Sequence, residues 1–316
     1  MTWWQILLIA LIAFVLLWLG ISLVCYFMAF FNLHKKERPF LLPPGEQYQK
    51  DRKRMRALIE EMAAIESESL TIGKHRKLYA RYYHIDDNAP LQIQVHGYKG
   101  SAIRDFCGGN KLAREMGHNT LVIDQRAHGK SFGRTIAFGE KECSDVKRWA
   151  EYMANRLGRD TPIILSGVSM GAATVLLCSG MEIDANIVGI IADSPFSSSA
   201  DIIAKVAKDM GFPPKLVMPF IKAGARVFGG LKLDVDVCAA VKKAKVPILI
   251  IHGEDDRFVP CDMSRDIYAA APLNIQLETF AGAGHGLSFI EDFDRYQNKV
   301  CAFVSQIIKD TKRQTP

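Results

Sequence analysis

Gly167-Val168-Ser169-Met170-Gly171 reads G-x-S-x-G and follows a short apolar run, Pro162–Leu165. Glycines on both sides of a serine let a chain turn sharply from strand to helix, with the serine at the strained tip. Ala172, Ala173, Val175, Leu176 and Leu177 continue as the start of a buried helix. The N–H groups and positive dipole end of that helix favour a developing oxyanion beside Ser169. Ser169 is therefore a candidate nucleophile, and a hydroxyl nucleophile needs a base that is itself oriented by an acid.

Three histidines compete for the role of base. His285 lies in Ala281-Gly282-Ala283-Gly284-His285-Gly286, a glycine-rich loop after the run Ile275–Phe280, with little side-chain bulk to obstruct it. His252 packs at the end of the run Val246–Ile251, and His128 sits in a polar loop that precedes Ser169. The candidate acids are Asp256, its neighbour Asp255, and Asp193 after the run Ile187–Ala192. The segment His96-Gly97-Tyr98-Lys99-Gly100-Ser101 follows the run Leu91–Val95. A main-chain N–H from such a loop pairs with the one after the nucleophile to hold an oxyanion, which assigns that task to Tyr98 and Met170.

These segments need a frame. Leu91–Val95, Thr120–Ile123, Pro162–Leu165, Ile187–Ala192, Val246–Ile251 and Ile275–Phe280 are short apolar runs. Helical patterns near 103–116, 143–157, 170–180, 263–271 and 288–309 lie between or after them. Apolar strands alternating with helices predict a mostly parallel, doubly wound α/β sheet covered on both faces, with ligands at the C-terminal ends of its strands. Every candidate residue follows one of these strands, and in this architecture the order along the chain is serine, acid, histidine, which favours His285 over His128. Leu70–Gly73 and Lys77–His84 alternate and predict an antiparallel pair, and Gln47–Ala64 has helical spacing at Met55, Leu58, Ile59 and Met62. Residues 34–46, with Pro39, Pro43, Pro44 and Gly45, read as a linker.

The first residues differ from the rest. Trp3 to Phe31 carries no charge, and Gln5 and Ser22 are its clearly polar side chains. About 20 apolar residues cross a bilayer core, whereas a cleaved signal has a basic start and an apolar stretch of about 7–15 residues. Residues 1–33 are expected to be an uncleaved transmembrane anchor. Lys35, Lys36, Arg38, Lys50, Arg52, Lys53, Arg54 and Arg56 follow it, so the positive-inside rule puts the catalytic domain in the cytoplasm. Net charge over the 316 residues is a mild +6, with 49% hydrophobic and 23% charged residues, and this argues against a nucleic-acid binder or broad disorder. Cys107, Cys143, Cys178, Cys238, Cys261 and Cys301 form no C-x-x-C pair and read as reduced thiols rather than a zinc or redox site.

HGYKGS at 96–101, DQRAHGKSFG at 124–133, GVSMG at 167–171, HGEDDRFVP at 252–260 and AGAGHG at 281–286 together resemble the α/β-hydrolase superfamily, in its esterase, lipase and acylglycerol-lipase-like branch. The likeness spans about residues 68–310. It implies the α/β-hydrolase fold in a domain of residues 67–316, behind a basic linker and helix at 34–66, with a helical cap insertion at about 196–245. Its HGxxDxxVP pattern lands on Asp256 as the acid, and its oxyanion donor lands on Tyr98. It implies cleavage of an acyl ester or lipid-like substrate by Ser169, His285 and Asp256, with thioesters, amides or a non-catalytic binding role as alternatives. No metal or organic cofactor is required, and no nucleic-acid or obligate protein partner is indicated. Within the expected cap, Ile202, Ile203, Val206 and Met210 form one apolar stripe, ended by Gly211, Pro213 and Pro214. Leu216, Val217, Phe220, Ile221, Val227 and Phe228 form a second. These stripes are expected to pack on the core, to line an acyl site, or both. The lysines around them and the basic residues after the anchor are expected either to solvate exposed helices or to hold the site near an anionic bilayer.

Overall fold

The computed structural model describes residues 1–36, 38, 40–43 and 45–314. Pro39 and Pro44, on which part of the linker reading rests, lie outside the described residues. A single mixed sheet of eight strands organises the chain: β1 (Glu68–Ile72), β2 (Leu78–Tyr83), β3 (Leu91–Val95), β4 (Asn119–Asp124), β5 (Ile163–Val168), β6 (Ile187–Asp193), β7 (Ile248–Gly253) and β8 (Ile275–Phe280). Their spatial order is β1-β2-β4-β3-β5-β6-β7-β8. β1 and β2 pair antiparallel, β2 meets β4 antiparallel, and every pairing from β4 through β8 is parallel.

β7 shows why the inner strands read as unbroken apolar runs. Ile248 and Ile250 join the core on one face, while Leu249 and Ile251 join a second cluster on the other. The first face is covered by α4 (Glu142–Leu157), α5 (Met170–Cys178), α8 (Val237–Val241) and α9 (Cys261–Ala270). The second is covered by α3 (Ala102–Glu115), with α2 (Arg52–Ala63) packed on it, and by α11 (Phe293–Gln314), whose Val300, Phe303, Val304 and Ile307 are buried there. Two predicted helices come out divided. Instead of one helix over 47–64 there is a 3-10 turn, Glu46–Tyr48, and then α2, because Tyr48 is drawn into the second cluster. Instead of one helix from 288, α10 (Ser288–Glu291) is separated from α11 by Asp292, at φ −140° and ψ 81°.

Between β6 and β7 the chain adds α6 (Ser199–Asp209) and α7 (Pro214–Gly229) before α8. Ser198 caps α6 by accepting the Asp201 N–H, and Pro214 opens α7, where its missing N–H costs nothing. At the N-terminus α1 (Trp3–Ala29) is apolar throughout and long enough to cross a membrane, and almost all of its side chains up to Leu17 are exposed. Its C-terminal end is fastened to the domain. Tyr26 shares a hydrogen bond of 2.6 Å with Thr135, the Asn32 N–H donates to Arg134 O at 2.8 Å, and α1 lies along α7.

Candidate active site

Ser169 joins β5 to α5 with φ 57° and ψ −120°, a conformation that L residues seldom adopt. Close packing holds it there. A Cβ on Gly171 would stand 1.8 Å from Val95 O, and one on Gly167 would stand 2.3 Å from Gly171 O. The Ser169 N–H donates to Asp193 O at 2.8 Å, and the Ser169 carbonyl accepts the Ala173 N–H at 3.1 Å. Glycine at both flanking positions is therefore a packing requirement of the turn.

The structure brings Ser169, His285 and Asp256 into one hydrogen-bonded line. Asp256 Oδ2 accepts from His285 Nδ1 at 2.6 Å, and His285 Nε2 lies 2.9 Å from Ser169 Oγ. A carboxylate only accepts, so the imidazole proton is on Nδ1, and Nε2 is left to accept the serine hydroxyl. Asp256 is buried, which opposes its ionisation, but His285 and His252 beside it hold its carboxyl well below the usual carboxylate range. Its other oxygen accepts the N–H groups of Phe258 and Val259, both at 2.8 Å.

His252 has a part that the sequence reading did not give it. Its Nε2 faces two acceptors, Asp256 Oδ2 at 3.2 Å and Val259 O at 3.0 Å, so Nε2 carries the proton and Nδ1 accepts from Ser264 Oγ at 2.6 Å. The signal available was a histidine at the end of an otherwise apolar strand. The other two candidate acids stand apart. Asp255 is exposed, and the buried Asp193 accepts hydrogen bonds from Ser194 Oγ at 2.9 Å and the Tyr296 hydroxyl at 3.2 Å. Burial pushes the Asp193 carboxyl up against the effect of those bonds.

The 96–101 loop wraps over Ser169. Gly97 N–H donates to Asp105 Oδ2 at 2.9 Å, and Lys99 N–H donates to His128 Nε2 at 3.1 Å. The Tyr98 N–H lies between these two, and neither it nor the Met170 N–H has a protein acceptor among the described residues. Met170 opens α5, where no intrahelical acceptor exists. His128 lies behind the loop rather than in the cleft. Its Nδ1 donates to Arg126 O at 2.9 Å, its ring meets that of His96 edge to face, and burial pushes it down to about 3, so it stays a neutral acceptor.

Two cavities meet at Ser169, sharing Tyr98, Ser169 and Phe258. One, of about 570 Å³, is almost wholly apolar, with Ile202, Ile203 and Val206 of α6 and Ile221 of α7 in its walls. The first apolar stripe of the α6–α7 region thus lines an apolar cavity and also packs on the core, where Ile202 and Ile203 are buried. The second cavity, of about 550 Å³, is more polar and includes Gln47, Tyr48, Lys99 and Arg104 beside His285. Gln47 Oε1 accepts the His285 N–H at 3.2 Å, which ties the segment before α2 to the site. Among the described residues no group of three or more His, Cys, Asp or Glu side chains is placed to hold a metal ion.

Residues 95–296 match the alpha/beta hydrolase family. The chain is 26% identical over 203 residues to the uncharacterized protein YqkD of Bacillus subtilis, covering 64% of this chain and 67% of that one. It is 26% identical over 206 residues to human protein ABHD12B, covering 58% and 51%. It is 27% identical over 200 residues to the rat lysophosphatidylserine lipase ABHD12, covering 58% and 46%, so the match spans about half the length of the two mammalian relatives. Among solved structures, the Pyrococcus furiosus esterase Pf2001 superposes with a TM-score of 0.62 at 23% identity, over 78% of this chain and 93% of that one. Est1E from Butyrivibrio proteoclasticus, bound to ferulic acid, superposes with a TM-score of 0.60 at 24% identity, over 76% and 99%.

Proposed function

Because the chain belongs to the alpha/beta hydrolase family, we propose that it is a membrane-anchored serine hydrolase of carboxylic esters, with Ser169 as nucleophile, His285 as base and Asp256 as orienting acid. The observation that carries this reading is the line of hydrogen bonds from Asp256 through His285 to Ser169, at 2.6 and 2.9 Å, ending where an apolar cavity begins. His285 Nε2 takes the Ser169 proton as Oγ attacks the carbonyl carbon, and Asp256 stabilises the imidazolium that forms. The N–H groups of Tyr98 and Met170 receive the oxyanion. Collapse of the tetrahedral intermediate expels the alcohol with a proton from His285, and water then repeats the cycle on the acyl-enzyme. The apolar cavity takes the acyl part, and the more polar one takes the alcohol. α1 is the anchor, and the basic residues that follow it place the domain on the cytoplasmic side.

The full chain should react with a fluorophosphonate probe and turn over p-nitrophenyl esters, with acyl thioesters of the same chain lengths assayed beside them. Ser169→Ala should abolish labelling and cut turnover by roughly a million-fold while melting as the parent does. A folded Ser169→Ala protein that keeps substantial turnover would overturn the assignment.

A further inference from the structure

The C-terminal third of α1 presents two different faces. Ser22, Tyr26 and Phe30 are buried against the domain, and α7 comes so near that a Cβ on Gly224 would meet Ser22 O at 2.3 Å. The adjoining face carries Ile21, Val24, Cys25, Met28 and Ala29, at i, i+3, i+4, i+7 and i+8, which is a single helical stripe. All five line the apolar cavity that ends at Ser169. The helix also touches the loop over the nucleophile. The Tyr98 hydroxyl donates to Ala29 O at 2.8 Å, and the Lys99 ammonium donates to Met28 O at 3.3 Å. A simple tether would have no reason to contribute a wall to the cavity.

The cavity reaches the surface beside lining residues that are only half covered. Val24 and Met28 of α1 are 58% and 49% exposed, and Met210 and Phe212 of the α6–α7 turn are 55% and 46% exposed. Length places that opening. At 1.5 Å per residue the 27 residues of α1 extend about 40 Å, whereas a hydrocarbon core is about 30 Å thick and takes about 20 residues to cross. The stripe that lines the cavity follows Trp18, where α1 first packs on Phe220 of α7, so it stands at the domain's end of the helix, directly after the exposed segment that the core would cover. α7 also exposes Leu216, Val227 and Phe228 along its length, with Lys215, Lys222 and Arg226 among them, and α6 exposes Lys208. An apolar face edged by cations suits an interface with anionic headgroups.

We infer that α1 is a wall of the acyl site as well as an anchor, and that the substrate is a long-chain acyl ester drawn from the bilayer. It enters ester-first between α1 and the α6–α7 turn, with its tail along Ile21, Val24 and Met28 and its alcohol part beyond Ser169. This deepens the hydrolase reading above and rests on it.

The test uses the full chain in phospholipid vesicles, with palmitoyl and butyryl p-nitrophenyl esters as substrates. Val24→Trp and Met28→Trp fill the mouth from α1 and should lower the palmitoyl-to-butyryl ratio of kcat/KM by about tenfold or more. Leu23→Trp, on the opposite side of the helix and outside the cavity, should leave that ratio unchanged. A ratio that stays at the parent value in both Val24→Trp and Met28→Trp, or that falls equally in Leu23→Trp, overturns the inference. A second measurement does not depend on a substitution folding well. A hexadecyl fluorophosphonate with a diazirine at the chain end forms a bond from Ser169 Oγ to phosphorus. Fluoride leaves, and His285 takes the serine proton. Irradiation should then mark peptides of α1 and of α6–α7. Probe fixed at Ser169 without any mark on α1 overturns the inference and leaves the hydrolase reading standing. Failure of the probe to react at Ser169 brings down the hydrolase reading, and the inference with it.

Discussion

Two buried aspartates lie close to Ser169, and their surroundings separate their roles. Asp256 is held ionised by the imidazoles of His285 and His252, whereas burial pushes the Asp193 carboxyl up toward its neutral form. Asp256→Asn should therefore cost about 10⁴-fold in kcat, because an amide facing Nδ1 favours the wrong imidazole tautomer. Asp193→Asn changes a side chain that accepts from Ser194 and Tyr296 rather than from His285, and Asp255→Asn changes an exposed one, so both should lose far less. His252→Gln should fall between, since it removes one of the donors that fix Asp256 and leaves the Phe258 and Val259 N–H groups in place. Steady-state kinetics on a soluble ester rank the four variants. Asp193→Asn as the most damaging of them would move the acid to β6. From residue types alone the acid stayed open among Asp256, Asp255 and Asp193, because all three follow strands. The resemblance to HGxxDxxVP singled out Asp256, and the coordinates place it against His285. The bracing of Asp256 by His252 was not legible, because it depends on a turn that folds residues 256–259 back over the end of β7.

At the scale of elements, the strands were legible because a strand covered on both faces is apolar in every position, as β7 shows. The division of the 47–64 helix was not, since Tyr48 leaves the helical path for a tertiary contact that no local spacing reports. α1 is the clearest case. A helix that is apolar on every side carries no periodic sign of which face meets protein, so Ser22 and Tyr26 were the only local hints. The α1–α7 contact is tested by a pair of glycines. Nothing lies within 4 Å of a Cβ on Gly20, whereas one on Gly224 meets Ser22 O at 2.3 Å. Both sit inside helices, where alanine is favoured over glycine by about 0.5–1 kcal/mol. Gly20→Ala should accordingly be neutral or stabilising in thermal unfolding of the full chain in vesicles. Gly224→Ala should destabilise, by about 1–3 kcal/mol for overpacking less the helix gain. Equal behaviour of the two would show that α1 does not rest on α7.

The whole molecule combines an eight-stranded sheet domain with a helix whose side chains up to Leu17 are almost all exposed. That combination has one consequence for topology. The lysines and arginines that follow α1 are Lys35, Lys36 and Arg38, then Lys50, Arg52, Lys53, Arg54 and Arg56 before β1. Lysine and arginine within about 15–20 residues of a span favour the cytoplasmic side, and Lys35, Lys36 and Arg38 lie within that distance of α1. The domain follows this flank in the chain, so the side that holds the flank also holds Ser169. Glu37 shares the flank in sequence but lies outside the described residues. Protease added to intact cells that make the full chain should therefore leave the domain whole, and lysis of the same cells should expose it to cleavage. A membrane-impermeant fluorophosphonate should likewise label Ser169 only after lysis. Because α1 lines the cavity, orientation also decides which leaflet supplies substrate: with the domain in the cytoplasm, esters of the inner leaflet reach the mouth directly. Digestion of the domain in intact cells, together with labelling there by the impermeant probe, would reverse the orientation and make the outer leaflet the source.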